Sequence, residues 1–294
     1  MKFATGLHNE NLFIGAVKGE SIINLTDLAQ HNDKNFPGTL LEGVEQGPSF
    51  VSLAEELISR FDVSDFTYSL ETIELLAPIP RPSKNVFCIG KNYRDHAIEM
   101  GSEADIPEDI MVFSKAPTSI IGHKKGIPSH VNLTDQLDYE GELAIIIGKK
   151  GIHISKEEAM NYIFGYSIIN DVTARDLQQK HKQFLIGKSL DGTCPMGPWI
   201  VHHSEIPNPE KLSIQTKVNG EQRQDGNTRD FIFDIPTMIA ELSKGMTLEA
   251  GDIIATGTPA GVGKGMKPPV FLKSGDTIEI TIEGIGTLSN EIVE

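Results

Sequence analysis

Apolar residues fall along this chain in short runs broken by Gly, Pro and Asn, and few stretches keep a helical period. The strongest run is 138–148, Asp-Tyr-Glu-Gly-Glu-Leu-Ala-Ile-Ile-Ile-Gly, polar at its start and apolar until the closing glycine. Such a run predicts a buried β-strand. Similar runs predict strands over 85–90, 111–114, 119–122, 163–170, 198–202, 211–218, 252–256 and 276–282. Helical spacing is confined to 50–60, with Ser49 as a candidate cap, and to 93–100, 156–162, 173–182 and 235–244. Ser155 opens the second of these later pieces as another candidate cap. Earlier residues predict short strands at 2–5, 12–17 and 21–25, then a polar loop around a short helix over 31–48. Pro78, Pro80 and Pro82 favour extended backbone and block helix, which marks a boundary. The pattern therefore predicts a mainly β protein with some α. A small α+β N-terminal domain (1–76) precedes a β-dominated domain (77–294), without a βαβ repeat.

The acidic start of 138–148 changes the picture. Side chains alternate along a strand, so Glu140 and Glu142 share one face with Ala144 and Ile146. Carboxylates beside a buried segment are costly unless a positive group neutralises them. The 163–170 run ends at Asp171, and only one short helix separates the two strands. If the strands lie side by side, Glu140, Glu142 and Asp171 converge. Three carboxylates suit Mg²⁺ or Mn²⁺ and leave room for a chelating substrate. The competing reading is a strand whose polar end reaches solvent.

His96 and Glu99 are three apart on a predicted helix and share a face. A carboxylate beside an imidazole makes an oriented base, and an ordinary surface ion pair has the same spacing. Lys115 ends a strand, Lys188 follows the helix after Asp171, and Arg175 and Gln178 share a face of that helix. Each is a candidate anion grip or a solvated side chain. A glycine-rich loop, 255–263, follows a strand and can bring backbone N–H groups close to an anion. His202-His203 and Lys180-His181-Lys182 read as surface, the latter as a solvated helix end, and Trp199 as packing. Segments 100–110 and 221–230 read as mobile.

The formal net charge of −15 argues against nucleic-acid binding. No run reaches the ~18 apolar residues of a membrane-spanning helix. The start is no signal peptide, and Cys88 and Cys194 read as reduced thiols, so the expected location is the cytoplasm.

Four strings, YEGELA, NDVTARDLQ, GKSLDGTCPMGP and DIIATGTPAGVG, resemble the fumarylacetoacetate hydrolase family in order and spacing over 79–294. The bacterial subgroup with an N-terminal extension is the best match. The resemblance implies a mixed β-sandwich roll, a homodimer, and a divalent metal on Glu140, Glu142 and Asp171. It implies a catalytic His96–Glu99 pair on a mobile lid that activates water, a catalytic Lys188 that stabilises the enolate, and Lys115, Arg175, Gln178 and Thr258 around a small anionic 2-oxo acid. Lys91 stands where many relatives carry Arg, which keeps charge but loses bidentate geometry. The implied reaction is C–C cleavage through a metal-bound enolate. Oxaloacetate decarboxylation to pyruvate leads, ahead of acylpyruvate hydrolysis and isomerisation of a related oxo acid. A non-catalytic role for the fold is the remaining alternative.

Overall fold

A computed structural model describes residues 1–294. The chain opens with an antiparallel meander of β1 (Lys2–His8), β2 (Asn11–Lys18) and β3 (Ser21–Asn24). The Asn24 side chain accepts the Asp27 N–H and starts α1 (Leu25–His31), and Thr39 caps α2 (Leu40–Gln46) in the same way. Helix α3 (Pro48–Arg60) begins at a proline, with Gly47 rather than Ser49 at the cap position. A proline there leaves no N–H to satisfy, and the Ser49 hydroxyl turns back to Gln46 O instead. Short strands β4 (Thr67–Ser69) and β5 (Glu74–Leu75) complete this part.

Beyond the prolines come β6 (Val86–Gly90), α4 (Arg94–Glu99), β7 (Met111–Lys115), β8 (Ile120–Ile121), β9 (Gly126–Pro128) and β10 (Leu137–Asp138). The middle of the chain supplies β11 (Gly141–Ile147), α5 (Lys156–Ala159), β12 (Ile163–Asn170), β13 (Thr173–Ala174), α6 (Arg175–His181) and α7 (Leu185–Lys188). Then follow β14 (Cys194–His202), β15 (Ser213–Val218), β16 (Glu221–Asn227), α8 (Ile235–Ser243), β17 (Ile253–Ala255), β18 (Thr277–Ile282) and β19 (Gly286–Val293).

The large sheet runs β4-β3-β2-β1-β14-β12-β11-β17-β6-β7. A second, five-stranded sheet runs β16-β15-β18-β19-β9. Strand β11 lies at the centre, fully buried. Its odd residues Leu143, Ile145 and Ile147 pack toward Ile214, Ile280 and Leu288 of the second sheet. Its even residues Ala144 and Ile146 share a core with Phe3, Leu25, Phe50 and Leu57 of the N-terminal part. Across the expected boundary at 76/77 the sheet and this core are continuous, because β1 pairs with β14.

Several expectations are corrected. The segment 221–230 is not a loose loop but β16 and a 3₁₀ turn, with Gln224 buried. Residues 173–174 are extended, so the helix starts at Arg175. Ser155 occupies the cap position of α5 without a capping hydrogen bond. Strand β19 had no apolar signature because Asn290 points inward, where it donates to Gly122 O and Lys125 O.

Candidate active site

Strands β11 and β12 are antiparallel neighbours with Gly141 opposite Asn170, so their polar ends meet. Asn170 Oδ1 accepts the Glu140 N–H at 3.0 Å, and Glu140 O accepts the Asp171 N–H at 2.9 Å. Glycine is required at 141: a Cβ there would lie 2.4 Å from Thr216 Oγ1 of β15. The consequence is that Glu140, Glu142 and Asp171, all buried, bring carboxylate oxygens within 4.8 Å of one another.

Three buried cations answer them. Lys188 Nζ donates to Glu140 Oε2 and to Asp171 Oδ2, each at 2.7 Å. Lys115 Nζ sits 2.8 Å from Asp171 Oδ1 and donates to Val172 O. Arg175 donates through Nε to Asp138 Oδ2 at 2.8 Å, and its Nη2 lies 2.7 Å from Glu140 Oε1. Gln178 accepts from Arg175 Nη1 at 3.3 Å, as the three-residue spacing predicts. Four buried carboxylates thus face three buried cations. Burial raises the Glu140 carboxyl, but the Lys188 ammonium and Arg175 guanidinium outweigh it and hold the group at about 2. Glu142 has no cation partner and accepts only the Gly257 N–H, at 2.8 Å. Burial, then the charges of Asp171 and Glu140, push its carboxyl well above the usual range. One positive charge is missing at Glu142. Three clustered carboxylates with one unneutralised are the donor set of a hard divalent cation, so the residues fit Mg²⁺ or Mn²⁺.

The glycine-rich loop after β17 does hold anions, and they are the protein's own. Gly257 N–H binds Glu142, Gly261 N–H binds Glu99 at 3.0 and 3.1 Å, and Gly263 N–H binds Asp138 at 2.7 Å. Gly261 adopts φ +107°, and a Cβ there would lie 2.0 Å from Arg223 O. Helix α4 sets His96 Nδ1 3.4 Å from Glu99 Oε2, close but without an aligned hydrogen bond. The Thr258 hydroxyl donates to Gly141 O and accepts from Gln224 Nε2.

A cavity of about 410 Å³ opens onto this cluster, with His96, Glu140, Glu142, Arg175, Gln178 and Thr258 in its wall. Glu99, Asp171, Lys115 and Lys188 lie behind that wall, held in the ion pairs above. Lys182, read from sequence as part of a solvated helix end, lines the cavity instead. His202 and His203 lie together, although adjacent residues within a strand would point to opposite faces. The strand ends at His202, and the two rings lie 4.3 Å apart, away from the cavity. Sequence reasoning missed Asp138 and Gln224. Asp138 is two residues before Glu140, so strand alternation was a usable signal. Gln224, which also accepts the Gly141 N–H, sits in a polar run that offered none.

Strand pair, acidic cluster and glycine loop together define an enzyme built on a mixed β roll. Residues 85–293 match the fumarylacetoacetate (FAA) hydrolase C-terminal family, and the chain belongs to that family. It is 57% identical to the oxaloacetate tautomerase YisK of Bacillus subtilis, over 99% of this chain and all of that one. A solved fumarylacetoacetate hydrolase from psychrophilic Exiguobacterium antarcticum is 45% identical, with a TM-score of 0.84 over 100% of this chain and 99% of that one. The maleylpyruvate hydrolase of Sphingobium sp. SYK-6, solved with manganese(II) and pyruvate, is 29% identical, with a TM-score of 0.80 over 100% and 99%.

Proposed function

We propose that this enzyme interconverts the keto and enol forms of oxaloacetate, moving a proton between C3 and the C2 oxygen through an enolate. The reading rests on the cavity that joins an imidazole, His96, to an acidic cluster with one uncompensated carboxylate. The end-to-end likeness to an oxaloacetate tautomerase supports it. A divalent cation on Glu140, Glu142 and Asp171 would polarise the C2 carbonyl and acidify C3. His96, in the wall, takes or returns the C3 proton, while Glu99 stays fixed beside it by Gly261. The Lys188 ammonium, held between Glu140 and Asp171, supplies fixed positive charge where oxygen becomes anionic. Arg175 and Gln178 grip the C1 carboxylate from the wall.

C–C cleavage is the second reading, supported by 45% identity to a fumarylacetoacetate hydrolase. Loss of the C4 carboxylate as CO₂ from oxaloacetate passes through the same enolate and needs no attacking water. One experiment separates the two. Metal-free protein receives Mg²⁺ or Mn²⁺, then oxaloacetate, with enol absorbance and pyruvate release followed together. Fast enol loss with pyruvate at the metal-only rate supports tautomerisation. Matched acceleration of pyruvate supports decarboxylation. No acceleration of either, with metal bound, rejects both. His96→Ala is expected to slow the catalysed step about a hundredfold or more.

A further inference from the structure

Of the buried cations, Lys115 and Lys188 lie behind the cavity wall in ion pairs at 2.7–2.8 Å, and Arg175, in the wall, is already assigned to the C1 carboxylate. A substrate with a second carboxylate must therefore find its positive partner elsewhere in the cavity. Two ammonium groups in the wall have no carboxylate partner and donate no hydrogen bond: Lys182, just after α6, and Lys264, just after the glycine-rich loop. Lys91, the third wall lysine, already pairs with Asp105 at 3.4 Å.

Both free lysines sit on backbone that the fold constrains. Lys182 adopts φ +58°, a conformation that costs a non-glycine residue free energy and that recurs at binding sites. Lys264 donates its own N–H to Asp138 Oδ2, the same oxygen that accepts Arg175 Nε. The next residue, Gly265, leaves no room for a Cβ against the Glu99 carboxyl, 2.3 Å away. Lys264 is thereby tied both to the Arg175 grip and to the His96–Glu99 helix. The chain carries net charge −15, so free cations in the wall of its cavity contrast with the molecule as a whole.

We infer that Lys182 and Lys264 together bind the far carboxylate of the substrate and select dicarboxylic 2-oxo acids over those with neutral tails. This rests on the oxo-acid reading above and names the residues that set its substrate class. The test uses Mg²⁺-loaded full-length enzyme and the variants Lys182→Gln, Lys264→Gln and their double, with Lys→Arg at each position as controls. Lys182→Gly is added because glycine reaches φ +58° more readily than a residue with a Cβ. The readouts are KM and kcat for oxaloacetate. The affinity of 2-oxobutyrate, which has the same carbon count but no second carboxylate, is measured by calorimetry. Each glutamine variant and Lys182→Gly should raise KM for oxaloacetate about fivefold, and the double more than tenfold, as expected for losing charge-assisted contacts at a rim. Affinity for 2-oxobutyrate should not change, and the arginine variants should keep a low KM. An unchanged KM in the double variant, or a parallel loss of 2-oxobutyrate, overturns the assignment while the oxo-acid reading stands. Wild-type enzyme that binds neither compound overturns both.

Discussion

Glu142 is the one carboxylate of the buried cluster that no cation answers. Its folded-state carboxyl is raised above the ordinary value of 4.5 by burial and by Asp171 and Glu140. In metal-free protein this group's contribution to stability is fully present below pH 4.5 and is lost as pH rises through the raised value. A divalent cation bound by Glu140, Glu142 and Asp171 would favour the ionised form of Glu142. Mg²⁺ or Mn²⁺ should therefore raise the melting temperature more at pH 8 than at pH 5, in a scanning-fluorimetry series. Glu142→Gln removes the unneutralised charge. It should melt about 2–4 °C higher than metal-free wild type per kcal/mol relieved, and should lose the response to metal. A variant that still gains stability from the ion would remove Glu142 from the ligand set. Lys115→Met tests the opposite sign. It leaves Asp171 short of one cation and should cost about 3–5 kcal/mol in denaturant unfolding, the usual penalty for breaking a buried pair.

At the scale of elements, the glycine-rich loop after β17 clamps three carboxylates with backbone N–H groups. Gly261→Ala places a Cβ against Arg223 O and forces the loop away from Glu99. Turnover should fall more than tenfold while metal-induced stabilisation is kept, because Glu142 is held by Gly257 and not by Gly261. The loop that precedes β9 reports pH. His123 Nδ1 accepts the Ser289 N–H of β19, which requires a neutral ring. Burial, then the Lys124 charge, lowers its pKa from 6.5 to about 4. Stability from this contact is present above pH 6.5 and declines as pH falls toward 4. The melting difference between wild type and His123→Ala should shrink across that window.

Strand and helix positions were readable from runs of Val, Ile and Leu, and β11, β12 and α8 fall close to where periodicity places them. Elements with polar residues turned inward were not readable. Gln224 in β16 and Asn290 in β19 are buried because backbone groups of distant segments need them. That need exists only once the chain is folded. The acidic trio was legible as a pattern, whereas its charge balance was not, since Asp138 and the three cations converge from four separate elements.

For the whole molecule, the N-terminal part shares a sheet and a hydrophobic core with the site-bearing part. Strand β1 completes the edge of β14, and Phe3, Leu25 and Phe50 roof the even face of β11. Removal of residues 1–76 should expose an unpaired strand edge and an apolar face and give insoluble protein rather than a smaller enzyme. Soluble, folded protein from that truncation would show that the catalytic roll stands alone.

The pairing of Lys2 with Val201 also has a consequence for synthesis. On that edge of β1 only Gly6 and Leu7 find an early partner, in β5, while Lys2 and Phe3 have none until residue 202 has been made. At about 5–20 residues per second this is a wait of roughly 10–40 seconds. During it the β1–β3 meander and its helices must stay soluble with their inner face uncovered. Factors that shield nascent apolar surface should therefore raise the yield of this enzyme more than that of a domain whose strands pair in order.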